Sequence, residues 1–192
     1  MIVSLSVLIE KAIENQVVSF PTDTLPALAV KPNYSDLIFE LKQRSYEKPL
    51  ILMVSSVEEM WQYVKGTEKE LKIWQEVAYQ YLPGGLTMVL PASSLITASM
   101  NPLNPNSIGI RVPRSTIAQK ILSQTGGLAT TSANLSGEEA LTDMVAIDKK
   151  FPSVYVLDCD NSIKENSGVA STVIKWTGEN WQTLRQGKIF IS

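Results

Sequence analysis

Short apolar runs of strand length alternate with apolar stripes of helical period, and that alternation leaves few folds open. The runs at 17–20, 25–30, 50–54, 86–90 and 108–112 are four to six residues long. Between them Leu5, Leu8, Ile9, Ala12 and Ile13, then Leu37, Ile38 and Leu41, then Leu71, Trp74, Ala78 and Tyr81, then Ile117, Ala118, Ile121 and Leu122 recur every three or four residues. Ser4 or Ser6, Ser55 or Ser56, and Ser115 stand where helices would start; Pro83-Gly84-Gly85 and Gly126-Gly127 stand where two would stop. Strand and helix in turn over the first two-thirds give an α/β class. The remainder predicts a helix over 143–150, a strand over 154–157, a loop over 161–168, and a hairpin of 171–176 with 181–185 around Gly178. A last short strand is expected over 188–191. The strand-rich end makes the sheet mixed, with antiparallel members and flanking helices. At 192 residues, with no repeat or linker, the chain reads as one domain spanning 1–192.

Composition then removes whole classes of chemistry. There is no histidine and one cysteine, Cys159. Ser-His-Asp and Cys-His catalysis are excluded, and a zinc site would lack its usual ligands. No internal disulfide can form, which fits a reducing compartment. The first residues are apolar without a cationic start, and no apolar run approaches the roughly 18 residues a membrane span needs. A soluble, cytoplasmic protein is expected. The formal net charge of −2 argues against bulk polycation binding to nucleic acid, though not against a local basic patch. Neither a P-loop nor a Gly-x-Gly-x-x-Gly fingerprint is present.

Two groups of residues remain for chemistry. One is basic: Lys42, Arg44, Lys48, Arg111, Arg114 and Arg185. Lys42 and Arg44 lie at the end of a predicted helix, where cations are favoured anyway by the dipole. Arg111 is harder to explain as surface, since it falls inside an apolar strand and a charge there needs a partner or a ligand. The other group is small and polar, each member read as following a strand: Thr22, Asp23 and Thr24; Ser132 and Asn134; Ser171 and Thr172. Ligands in open α/β sheets collect beyond strand ends. Asp23 could hold a metal, orient a lysine or cap a turn. The stretch 129–137 is the densest of these polar segments, read as a strand that ends and opens a loop.

In order along the chain come Pro21-Thr22-Asp23-Thr24, Leu41-Lys42-Gln43-Arg44, Lys48-Pro49-Leu50, Pro83-Gly84-Gly85-Leu86-Thr87, Gly109-Ile110-Arg111-Val112-Pro113, Thr131-Ser132-Ala133-Asn134-Leu135-Ser136-Gly137 and Ser171-Thr172-Val173-Ile174. This ordered set resembles the YrdC/TsaC family, the threonylcarbamoyl-AMP synthases, over about 17–185. The resemblance implies a twisted open sheet with a basic hollow, the YrdC-like (DHBP synthase-like) fold. It implies a nucleotidyltransferase that uses L-threonine, bicarbonate and ATP, with Mg2+, to make threonylcarbamoyl-AMP and pyrophosphate. Transfer enzymes would then carry the group to adenosine 37 of tRNA as t6A. Carried over, Lys42, Arg44, Ser132 and Asn134 would be the catalytic tetrad. Thr24 and Arg111 would seat threonine; Lys48, Ser132, Ser171 and Arg185 would lie near the nucleotide. No metal-ligating residue is assigned.

The chain departs from the family's pattern at two places. After Pro-Thr-Asp-Thr the family continues with an apolar residue, Tyr and Gly, whereas here Leu25 is followed by Pro26 and Ala27. The glycine loop reads Pro-Gly-Gly in place of Pro-Gly-Pro. Two other functions stand beside the synthase: a non-catalytic YrdC-like module binding double-stranded RNA or serving tRNA or rRNA maturation, and a degenerate fold kept for partner contacts.

Overall fold

The computed structural model describes residues 1–159 and 166–191; of the loop expected over 161–168, residues 161–165 lie outside the described residues. Among the described residues ten strands form one mixed sheet in the order β1-β8-β2-β3-β7-β4-β6-β5-β9-β10. They are β1 (Ile2–Val3), β2 (Val18–Phe20), β3 (Ala27–Val30), β4 (Ile51–Met53), β5 (Leu86–Pro91), β6 (Ser107–Arg111), β7 (Leu128–Ser132), β8 (Tyr155–Leu157), β9 (Thr172–Trp176) and β10 (Trp181–Arg185). The pairs β4/β6, β5/β9, β2/β8 and β1/β8 are parallel; β2/β3, β3/β7, β4/β7, β5/β6 and β9/β10 are antiparallel.

The helices are α1 (Leu5–Ile13), α2 (Asp36–Lys42), α3 (Val57–Met60), α4 (Glu68–Tyr81), α5 (Thr116–Thr125) and α6 (Met144–Lys150). Side-chain capping sets every one of these starts except that of α2. The hydroxyls of Ser4, Ser56 and Ser115 accept from the backbone N–H three residues on, and Thr67 with Glu70 closes a reciprocal capping box. The helix expected to run from Ser56 to about Val64 is shorter: α3 ends at Met60 and residues 61–63 tighten into a 3-10 turn.

Helix coverage is staggered, and this creates the open surface. Leu52, Ala129, Ile110, Met88 and Ile174 are register partners across β7, β4, β6, β5 and β9. They share one face, which is buried in a cluster with Ile38 and Phe39 of α2, Met60 of α3 and Trp74 and Ala78 of α4. The helices α1, α5 and α6 bury Leu8, Ile121 and Ile147 in a second cluster with Val18, Phe20, Leu128 and Val156, at the other end of the sheet. The alternate residues Ile51, Gly109, Thr87, Val89, Val173 and Lys175 therefore look out from the opposite face. No described helix covers them, and they line an open groove.

The strand expected at 188–191 does not form. Gly187 and Ile189 give their backbone N–H groups to the hydroxyl of Thr172, at 3.0 and 3.1 Å, and that hydroxyl donates to the Ile189 carbonyl at 2.8 Å. One buried side chain thus takes donors that a strand ladder would use. The approach is close: a Cβ on Gly187 would lie 2.4 Å from the Ala170 carbonyl oxygen and 2.5 Å from the Thr172 nitrogen. Both are backbone atoms that cannot swing aside. Gly187→Ala is expected to destabilise the fold by about 1–3 kcal/mol, read from the urea midpoint at unchanged m-value.

Candidate functional site

Arg111 ends β6 and is 3% exposed. Every nitrogen of its guanidinium is engaged: Nε donates to the Gly84 carbonyl at 3.0 Å, one terminal nitrogen to Thr24 Oγ1 at 2.6 Å, the other to Asp23 Oδ1 at 2.7 Å. The same carboxylate oxygen accepts the backbone N–H of Arg114 at 3.0 Å. Burial pulls the Arg111 pKa down and the Asp23 charge acts against that pull; an arginine stays protonated regardless. Asp23 thus partners an arginine rather than the lysine considered from sequence.

The hydroxyl protons around this ion pair can be assigned, because a carbonyl only accepts. Thr22 Oγ1 donates to the Leu25 carbonyl at 2.7 Å. Its proton is spent, so the 3.1 Å contact between Thr22 and Thr24 hydroxyls has Thr24 as donor. Thr24 also accepts from Arg111. Its remaining lone pair can only accept.

A second such hydroxyl sits at the end of β7. Asn134 Nδ2 donates to the carbonyls of Leu135 and Glu138, each at 2.8 Å, which fixes its amide orientation. Ser132 Oγ then donates to Asn134 Oδ1 at 2.6 Å, and its lone pairs are left as acceptors. Lys42 completes the cluster. It donates to the Ser132 carbonyl and, at 3.1 Å, to Asn134 Oδ1. The left-handed Gln43, φ 49°, stops α2 immediately after it and turns Arg44 the other way. Lys42 is 1% exposed. Burial, with the Arg44 charge adding to it, brings its pKa down to about 7. Its two acceptors match the two N–H bonds of a neutral amine.

Arg44 donates to the carbonyls of Lys48 and Pro49, at 2.7 and 3.1 Å. Arg185 donates to the Ser171 carbonyl and hydroxyl, both at 3.0 Å. It reaches the open face because β10 shifts register between Thr183 and Arg185, placing Arg185 opposite Val173. Burial lowers the pKa of both arginines, and Arg185 lowers that of Arg44 further.

Thr24, Arg44, Arg111, Ser132, Ser171 and Arg185 line one cavity of about 120 Å³. Lys42 and Asn134 lie directly behind Ser132. Arg44, Pro49, Ile51 and Arg185 also border a larger groove of about 720 Å³, where Lys48 is found. The nine residues carried over from the family resemblance therefore lie in or directly behind this cavity and the adjoining groove. The site is a sheet face rather than a row of strand ends: Ser132 is still within β7, and Ser171 and Thr172 open β9 instead of following a strand. Sequence reasoning missed Thr87, whose hydroxyl lies 2.8 Å from that of Ser171, and Lys175 in the outer groove. The period of two along β5 and β9 is the signal that would have found them.

A model of the Sua5/YciO/YrdC family, described as telomere recombination, matches residues 11–187. The chain belongs to this family. It is 31% identical over 178 residues to the threonylcarbamoyl-AMP synthase of Pyrococcus abyssi, covering 91% of this chain and 51% of that one. Against the enzyme of the same name from Hydrogenovibrio crunogenus it is 32% identical over 153 residues, covering 75% and 79%. The chain spans about half the length of the Pyrococcus and bovine relatives it matches. The structure of P. abyssi Sua5 complexed with L-threonine superposes with a TM-score of 0.85 at 27% identity, over 97% of this chain and 57% of that one. E. coli YciO shares the fold, with a TM-score of 0.81 at 22% identity over 96% and 89%.

Two predictions follow from the buried charges. Asp23→Ala strands the Arg111 guanidinium and is expected to cost about 3 kcal/mol in urea unfolding, with Asp23→Asn costing less because its amide oxygen still accepts. For Lys42, the unfolded chain holds a proton between about pH 7 and the ordinary 10.5 that the folded chain lacks. Its burial penalty is full below about pH 7 and is relieved as pH rises through that window. Relative to Lys42→Met, the wild type should gain more than about 1 kcal/mol of stability between pH 7 and 9.5.

Proposed function

We propose that the chain is an L-threonylcarbamoyladenylate synthase, joining L-threonine, bicarbonate and ATP into threonylcarbamoyl-AMP with release of pyrophosphate. The observation that carries this reading is the polarity of the inner cavity. Its guanidiniums only donate, and the free lone pairs of Thr24 and Ser132 only accept. A ligand that fills both needs an anionic group and an N–H-bearing group a few atoms apart, which is the outline of an α-amino acid. Among the described residues no carboxylate lines the inner cavity, so Arg44 and Arg185 retain positive charge for a second anion.

The amino group donates to Thr24 and Ser132, and the carboxylate faces Arg111. The amine adds to the carbon of bicarbonate or carbon dioxide, giving a carbamate, with water leaving when bicarbonate is the reactant. A carbamate oxygen then forms the new bond to the α-phosphorus of ATP, and the α–β bridging oxygen departs with its electron pair as pyrophosphate. Both reactants are anions, so the rate depends on fixed cations that offset their repulsion and hold them in line. Arg44 and Arg185, at the junction of cavity and groove, meet the α-phosphate; Lys48 and Ser171 meet the rest of the nucleotide. Lys42 and Asn134 hold Ser132. A magnesium ion would enter bound to the nucleotide phosphates and help offset their charge; among the described residues no cluster of three metal-ligating side chains occurs. The product is a mixed anhydride made for onward transfer, and a t6A-forming transferase acting on tRNA is its consumer. No described helix is long and apolar enough to cross a membrane.

The test is pyrophosphate release from the purified chain. Release should require threonine, bicarbonate and ATP together, and Arg44→Ala should lower it by about 100-fold. Release that ignores threonine, or RNA binding without release, would overturn the synthase reading in favour of an RNA-binding module.

A further inference from the structure

The outer groove has a cation that none of the motifs contains. Lys175 lies in β9 on the same face as Val173, beside Val89 of β5 and Gln182 of β10. It is half-buried and lines the groove together with Arg44, Lys48 and Arg185. Glu47 is the one carboxylate among the described lining residues, and no hydrogen bond or ion pair to Lys175 occurs among the described residues. A lysine is often placed on a sheet edge to block pairing with another chain. That does not account for this one, because β10 lies outside β9 and the side chain faces the uncovered surface of the sheet.

Reaction geometry says what this cation would face. In-line displacement at the α-phosphorus puts the attacking and leaving oxygens on opposite sides of it. If the carbamate forms in the inner cavity, against Thr24 and Arg111, the leaving group must extend away from that cavity, past Arg44 and Arg185 and into the groove. Four cations against one carboxylate there suit a polyanion. A volume of about 720 Å³ leaves room for the diphosphate and for a nucleoside branching toward Tyr46 and Leu184. We propose that Lys175 is a binding residue for the β,γ-diphosphate of the nucleotide, and so for departing pyrophosphate. This rests on the synthase reading and adds a contact to it.

The experiment is calorimetric titration of the wild type, Lys175→Met and Lys175→Arg with ATP, AMP, inorganic pyrophosphate and L-threonine. Removing one charge-assisted contact should weaken ATP and pyrophosphate by about tenfold in Lys175→Met. AMP and threonine should stay within about twofold, and Lys175→Arg should keep most of the ATP affinity. An unchanged ATP affinity in Lys175→Met overturns the proposal, and so does an equal loss for ATP and AMP. If the wild type binds threonine and AMP but not ATP or pyrophosphate, the leaving-group assignment falls; if it binds neither threonine nor any nucleotide, the synthase reading falls with it.

Discussion

A guanidinium that is 3% exposed sets the terms for everything around it. Arg111 cannot shed its proton, so its position at the end of β6 is tolerable only if acceptors come to it. They arrive from two separate segments. Asp23 and Thr24 come from the loop between β2 and β3, and the Gly84 carbonyl from the loop between α4 and β5. The ion pair therefore ties the β2–β3 loop, near one end of the sheet order, to β5 and β6 near the other. Arg111 also donates to Thr24, whose own proton goes to Thr22, so that the Thr24 hydroxyl is left with only a lone pair to offer. A charge that must be satisfied has in this way fixed both the shape of the inner cavity and the direction of its hydrogen bonds.

The second constraint is where helices are missing. A mixed sheet of ten described strands has more face than six short helices cover. The helices divide between the two faces at opposite ends of the sheet. The uncovered area falls where β4, β6, β5 and β9 run side by side, and a glycine at its centre leaves room over the sheet. Gly109 stands between Ile51 and Val89, and a Cβ there would touch Ile51 and Thr87 side chains at 3.5 Å. Polar and cationic residues that alternate with the core positions on these strands thus share one surface without any motif joining them.

Much of this was legible in the chain, for identifiable reasons. The strands at 18–20, 51–53 and 86–91 and the helices at 68–81 and 116–125 carry their own periodicity and caps, so local rules suffice. Arg111 could be marked as a charge in need of a partner, but its partner was not readable: Asp23 lies 88 positions away, and only the sheet order brings the two together. The absent strand at 188–191 shows the same limit. Its apolar residues suit a strand, yet the Thr172 hydroxyl takes its donors, a tertiary contact with no local trace. Lys42 was read as a charge at a helix end. Its depth beneath Ser132 is a tertiary contact across 90 positions, and the fall of its pKa to about 7 follows from that burial, with the Arg44 charge adding to it.

The departure at Pro26 and Ala27 bears on how much the site depends on side chains there at all. Pro26 has no N–H to give, but its carbonyl accepts from the Ala133 backbone at 3.1 Å, and Ala27 pairs with Ser132 in the ladder. The backbone link between the β2–β3 loop and the Ser132 strand therefore survives the proline, which lies just before β3, where its fixed φ suits the entry to a strand. The side chains of Leu25, Pro26 and Ala27, with Pro49, Ile51 and Met53, give an apolar wall to a cavity that arginines and hydroxyls line elsewhere. Under the proposed synthase activity, a wall of that kind suits the methyl group of threonine and offers no hydrogen bond to its hydroxyl. Recognition would then rest on the amino and carboxylate groups, held by Arg111, Thr24 and Ser132, with the small volume limiting what side chain can follow.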